Sequence, residues 1–273
     1  MDNEKKCQPK LRLRPKIQDN WTILEIFDKA PPNGWDCVFK DAKSPYYARD
    51  EVESVSEDLD NEHEEVFRGP SEEHSYTYFP AKQNIFRAFD MTPLCKVKVV
   101  LIGQDVYYQF LPDGTPRAQG ISFGIRRDDE ITSSLDTMYK ELENSIPGWV
   151  RPSHGDLTYW TQQGVLLLNA SLTVKPGKAG THGKIWTGVL SRVFDCLAEV
   201  KPYAPFILLG KNAQDLKKYI GDRSTIIEAP HPSGANKWEK GGRHGFLGSD
   251  VFNLANEALL KKGETPIDWS IPE

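Results

Sequence analysis

Four short apolar runs, each ending abruptly in a polar or Gly/Pro-rich loop, constrain this chain more than any other feature. Val97 to Ile102 runs into Gly103-Gln104-Asp105, and Val165 to Leu168 into Asn169. Phe206 to Leu209 runs into Gly210-Lys211, and Thr225 to Ile227 leads to Ala229-Pro230-His231-Pro232-Ser233. Runs of this length suit buried strands, and the segments between them carry helical periodicity. Ile185, Trp186, Val189, Leu190, Val193, Phe194 and Leu197 recur at helical spacing, and Ser249 to Lys262 opens on a capping Ser and stops before Gly263. Strands alternating with helices imply an α/β fold, a largely parallel sheet with both faces covered. Ligands of such sheets bind at the carboxyl ends of the strands, so the four loops are expected to converge.

Each of those loops carries a different chemical tool. Asp105 is a carboxylate, Asn169 an amide, Lys211 a cation and His231 an imidazole. Taken singly, each suits a turn or an ordinary surface. Together they suit polarising water and stabilising a leaving anion. Gly103-Gln104-Asp105 lacks the glycine spacing and the Lys-Ser/Thr of a phosphate loop, and no His, Cys or carboxylate cluster has metal-ligand spacing. The expectation is a hydrolytic site without metal or cofactor.

The net charge of −5 argues at first against a nucleic-acid partner. Its distribution removes the objection. Residues 50–73 hold eleven acidic side chains against Arg68, a net of −10, which leaves +5 over the other 249 residues. Such dense like charge reads as an acidic insert forming a mobile loop. Residues 1–20 carry Lys5, Lys6, Lys10, Arg12, Arg14 and Lys16 and read as a basic flexible arm ahead of one domain spanning 21–273. The region from Trp21 to Tyr47 has the aromatic and apolar content of helices packed on a core. No apolar run reaches membrane-spanning or signal-peptide length, so the expected setting is intracellular, nuclear or cytoplasmic, with no membrane contact. Cys7, Cys37, Cys95 and Cys196 are widely spaced and read as reduced, scattered thiols.

A motif series then resembles a known family. Gly103-Gln-Asp-Val-Tyr-Tyr108, Gly120-Ile-Ser-Phe123, His154-Gly-Asp-Leu157, Gly164-Val-Leu-Leu-Leu-Asn169, Leu172-Thr-Val174, His231-Pro-Ser233 and Pro266-Ile-Asp-Trp269 are similar in order and spacing to the motifs of family 1 uracil-DNA glycosylases. The resemblance covers residues 75–269 and implies a single domain built on a four-stranded sheet flanked by helices. It implies a monofunctional, metal-independent hydrolase that cuts the N-glycosidic bond of deoxyuridine in single- and double-stranded DNA, in base excision repair. It gives Asp105 and His231 the catalytic roles: the first orients water beneath the sugar, the second donates to uracil O2. Gln104, Tyr107, Phe123 and Asn169 would bind uracil, with Phe123 stacking, Tyr107 excluding the thymine methyl, Asn169 reading O4 and N3–H, and Gln104 contributing mainly backbone.

The resemblance also implies loops that pinch phosphates and insert an apolar side chain where the base has flipped out. Here the sequence departs from the pattern. Val106 stands where proline is usual and Tyr108 where histidine is usual. Asp128 to Ser134 replaces a proline-rich loop, and Gly234-Ala235 replaces Pro-Leu in a lengthened loop. Ser134, Lys211, Ser233 and Gly234 are the expected DNA contacts. Trp238 is the candidate wedge, the alternative being a ring packed on its own loop. These departures motivate a second reading, a replication accessory or DNA-binding protein with secondary catalysis. Replication or repair proteins are possible partners of the arm or the acidic insert, and a monomer is the family expectation.

Overall fold

The computed structural model describes residues 15–60, 66–68, 70, 75–233 and 245–273. The described helices are α1 (Ile23–Lys29), α2 (Asp36–Phe39), α3 (Arg49–Asp60), α4 (Arg87–Met91), α5 (Ser133–Ser145), α6 (Thr158–Gln162), α7 (Thr187–Val200), α8 (Lys211–Gln214) and α9 (Val251–Leu260). Strands β1 (Phe67–Arg68) and β2 (Ser75–Tyr76) form a small antiparallel pair. The central sheet consists of β3 (Val99–Asp105), β4 (Val165–Ser171), β5 (Phe206–Leu209) and β6 (Ile226–Ala229).

These four strands lie in the order β4-β3-β5-β6, and every neighbouring pair is parallel. Parallel neighbours require crossovers, which α5 to α8 and their loops supply. All seven residues of β4, all four of β5 and the first five of β3 are buried regardless of which way their side chains point. Both faces of the sheet are therefore covered, as continuous Val/Ile/Leu runs require. β6 alternates buried Ile227 and Ala229 with exposed Glu228, the pattern of an edge strand. α7 buries Val189, Leu190, Val193, Phe194, Cys196 and Leu197, matching the spacing read from the sequence. Among the described residues, no helix is long and apolar enough to cross a membrane.

Two expectations are corrected. The acidic segment is not a loop throughout, because residues 49–60 form α3. Val52, Val55, Ser56 and Leu59 recur at helical spacing, and that stripe is buried against the core. Its acids face outward or are paired: Glu51 accepts from Arg192 Nε at 2.6 Å, and Arg49 lies 3.2 Å from Glu53 and 3.4 Å from Asp28. The second correction concerns Ser249, which does not cap the last helix. Asp250 precedes Val251 with a positive φ of 55° and makes no side-chain cap bond. Buried Glu141 of α5 instead accepts from the backbone N–H groups of Gly248 (2.6 Å) and Asp250 (2.8 Å).

Candidate active site

The carboxyl ends of β3, β4 and β6 bring the predicted residues together. Gly103 and Asn169 are direct partners in the β3–β4 register, two positions before the Asp105–Ser171 pair. A Cβ at Gly103 would stand 2.9 Å from Asn169 Oδ1 and 3.0 Å from the Phe123 ring, so only glycine leaves room for both side chains. β6 ends at Ala229, two residues before His231. Gly210, at φ 86° after β5, backs onto that histidine; a Cβ there would lie 2.8 Å from His231 Cβ.

A cavity of about 390 Å³ opens at these strand ends. Gln104, Asp105, Tyr107, Phe123, Asn169 and His231 all line it, and Ser134 and Ser233 stand at its wall. Phe123 reaches it through a strained backbone. Its φ is 61°, uncommon for an aromatic residue, and it is the middle of a three-residue turn closed by Gly124 N–H donating to Ser122 C=O at 2.7 Å. Ser122 N–H is tied to Leu167 C=O of β4, so the sheet holds the turn in place. The Phe123 ring lies 5.6 Å from the His231 imidazole, centroid to centroid. The Tyr107 hydroxyl donates to Phe123 C=O at 3.0 Å and lies 2.8 Å from Thr132 Oγ1. Burial pushes its pKa up to about 12, so the phenol stays protonated and keeps that bond.

The two candidate catalytic groups are set by complementary environments. Asp105 Oδ2 accepts from Gly180 N–H at 2.9 Å and from Gln104 Nε2 at 3.0 Å. Oδ1 is buried and makes no hydrogen bond to protein. Burial raises the Asp105 pKa above the ordinary carboxylate value, and the two hydrogen bonds oppose that rise. His231 is pushed down to about 4 by burial alone, so its imidazole is neutral at pH 7. Its Nδ1 accepts from Ser233 N–H at 3.2 Å, which places the ring proton on Nε2. A neutral donor and a carboxylate with one free oxygen can stabilise opposite charges across a breaking bond.

Comparison with known proteins agrees with this geometry. The Uracil DNA glycosylase superfamily profile matches residues 89–260. The uracil-DNA glycosylase of Escherichia coli K12 is 42% identical over 195 residues, 71% of this chain and 81% of the relative. The chain belongs to family 1 of the uracil-DNA glycosylases. The enzyme of Shigella flexneri serotype 5b matches to the same extent. The crystal structure of mimivirus uracil-DNA glycosylase shares the fold, with a TM-score of 0.70 at 24% identity, covering 87% of this chain and 86% of that one. Like its relatives, this glycosylase is a monofunctional, metal-independent hydrolase that excises uracil from DNA in base excision repair.

The places where this glycosylase departs from the family pattern have visible physical accommodations. Val106, in the usual proline position, is buried with Phe79, Ala118 and Val174 in a small apolar cluster, against which Tyr107, Tyr108 and Phe110 pack. The acidic loop before α5 is neutralised by arginines. Arg117 donates to Asp129 Oδ1 at 3.0 Å, while its Nε lies 2.9 Å from Oδ2, near enough to pair but off-line for a hydrogen bond. Arg126 pairs with Asp113 at 2.7 Å and with Asp128 at 3.1 Å. Lys211 does not line the cavity; it is 80% exposed and paired with Asp215 at 2.6 Å. Gly234 and Trp238 lie outside the described residues.

Three groups at the site were not foreseen from the sequence. Gly180 and Thr132 act on Asp105 and Tyr107. The Gln104 side chain, expected to be secondary to its backbone, holds the Asp105 carboxylate. A glycine in the loop after the Leu172-Thr-Val174 motif, at the carboxyl end of β4, was the available signal for Gly180.

Proposed function

We propose that this glycosylase divides the work of uracil excision between Asp105 Oδ1 and His231 Nε2. The observation that carries the proposal is the buried Asp105 Oδ1 left without a protein partner while Oδ2 is held twice. That free oxygen is suited to accept a hydrogen bond from the attacking water and to stabilise positive charge on the deoxyribose. As the C1′–N1 bond breaks, its electron pair passes to the uracil ring, and the His231 Nε2–H donates to O2 of the resulting anion. A neutral imidazole stabilises that anion without transferring its proton. Water then bonds to C1′, and the proton it loses is accepted by Asp105.

Asn169 would select uracil by donating to O4 and accepting from N3–H, a pattern that cytosine reverses. Phe123 would stack on the base and Tyr107 would close the space beside C5. Because the cavity reads one extruded base, both single- and double-stranded uracil-containing DNA are proposed substrates, the duplex adding a flipping cost of a few kcal/mol. Ser134 and Ser233, which line the cavity, would meet the flanking phosphates. The proposed setting is intracellular DNA, nuclear or cytoplasmic, with the chain acting as a monomer. Binding of replication or repair proteins through residues 1–20 or the acidic segment is a separate proposal, tested by truncating each and measuring capture of such proteins.

The test is release of free uracil from single- and double-stranded oligonucleotides by wild type, Asp105→Asn and His231→Leu. Each variant is expected to lose about 10²–10³-fold in kcat with its fold intact. Undiminished turnover in either variant would remove that residue from the mechanism. No observation favours the accessory-protein reading, since the residues proposed to contact the base all line one cavity.

A further inference from the structure

Two cysteines far apart in sequence meet on the side of the molecule that the excision chemistry does not use. Cys37 on α2 and Cys196 on α7 have their sulfurs 2.7 Å apart. Cys196 is fully buried, whereas Cys37 is partly exposed. α2 packs directly on α7, so the approach is built into a helix contact.

We propose that Cys37 and Cys196 form a dithiol–disulfide pair whose oxidant is a low-molecular-weight disulfide such as oxidised glutathione. The partly exposed Cys37 thiolate attacks one sulfur of the oxidant, giving a mixed disulfide and releasing one glutathione thiolate. Cys196 attacks the Cys37 sulfur, forms the protein disulfide and expels the second glutathione, whose thiolate takes up the proton that Cys196 loses. Two protein thiols are oxidised and one glutathione disulfide is reduced to two thiols. Cys37 is suited to the first step because the hydrogen bond from Cys196 lowers its pKa below the ordinary thiol value, against the opposing effect of burial. Cys196 is suited to the second because a buried sulfur already in contact needs no approach path.

The cross-link would tie the N-terminal helical layer to the long helix that covers β4. It would close a loop spanning most of the domain, which restricts the unfolded chain. Cys196 sits nine residues after Thr187, about 13 Å along α7 from the end where the loop bearing Gly180 enters. Oxidation is therefore expected to change stability and leave uracil release alone.

Wild-type protein would be equilibrated with oxidised glutathione, then digested without reduction and analysed by mass spectrometry alongside a free-thiol count. The expected result is a Cys37–Cys196 peptide lighter by two hydrogens, loss of two thiols, a melting temperature higher by about 5 °C or more, and unchanged excision rate. Cys37→Ser should abolish both the linked peptide and the shift. A persistent glutathione adduct on Cys37 with Cys196 still free, a cross-link to Cys7 or Cys95 instead, or an unchanged thiol count would each overturn the pairing. None of these outcomes bears on the excision reaction, which is read separately.

Discussion

The Tyr107 hydroxyl lies 2.8 Å from the Thr132 hydroxyl, and this contact joins the base cavity to the start of α5. Tyr107 gives its single proton to Phe123 C=O, so Thr132 must donate to it. Thr132 Oγ1 in turn accepts from Leu135 N–H at 3.4 Å and caps the helix. It stands in the segment where the family pattern is proline-rich, and proline could make neither bond. Thr132→Val keeps the volume and removes the hydroxyl. Release of thymine relative to uracil is expected to rise by up to about tenfold, the worth of one hydrogen bond on ring position. Thr132→Ser should restore wild-type discrimination, and a ratio that Val leaves unmoved would detach Thr132 from base selection.

Gly103 predicts a binding defect without a folding defect. Its backbone is held in β3, and the nearest atoms an added Cβ meets belong to the Asn169 amide and the Phe123 ring edge. In Gly103→Ala those two side chains must move, so KM for uracil-containing DNA should rise about tenfold or more while the melting temperature falls by only a few degrees. Unchanged KM would show that the amide and the ring are not held as tightly as their contacts imply.

Gln104 offers a test of how the carboxylate is tuned. Its Nε2 donates to Asp105 Oδ2 beside the Gly180 N–H. Gln104→Glu would set a second carboxylate against Asp105 and raise the Asp105 pKa further. The acid limb of kcat/KM should then move to higher pH than in wild type. A limb that stays in place would mean that the Gln104 contact does not bear on the ionisation of Asp105.

Strand ends were legible because burial on both faces writes itself as an unbroken apolar run. The sequence alone therefore places Asp105, Asn169 and His231 together. α3 was not legible, because charge density in residues 50–60 hid the spacing of Val52, Val55, Ser56 and Leu59. Gly180 and Thr132 were missed for another reason: their contacts span 75 and 25 residues and depend on how loops fold back, which no local pattern records. The helical reading has a direct consequence. Leu59→Ala should destabilise the protein by about 2–5 kcal/mol in denaturant unfolding, as for a buried leucine, whereas a solvated insert would show no change.

The pH dependence follows from two half-buried groups, with opposite signs for stability. His231 has its folded pKa depressed to about 4 from 6.5, so the unfolded chain binds the extra proton between those values. Its contribution is complete above pH 6.5 and is lost as pH falls toward 4, on the order of 3 kcal/mol in all. Asp105 has its folded pKa raised, so it opposes this trend slightly just above its unfolded value. Activity depends on both in the same direction, since a protonated Asp105 cannot take the water proton and a charged His231 is no longer a neutral donor. The rate of uracil release should be level around neutrality and fall on the acid side, with His231 protonating only as pH approaches about 4 and the raised Asp105 carboxyl protonating above the ordinary carboxylate range. A His231 imidazole that titrates near 6.5 when followed directly by NMR would mean that it behaves as an ordinary exposed histidine, and the neutral-imidazole role would have to be given up.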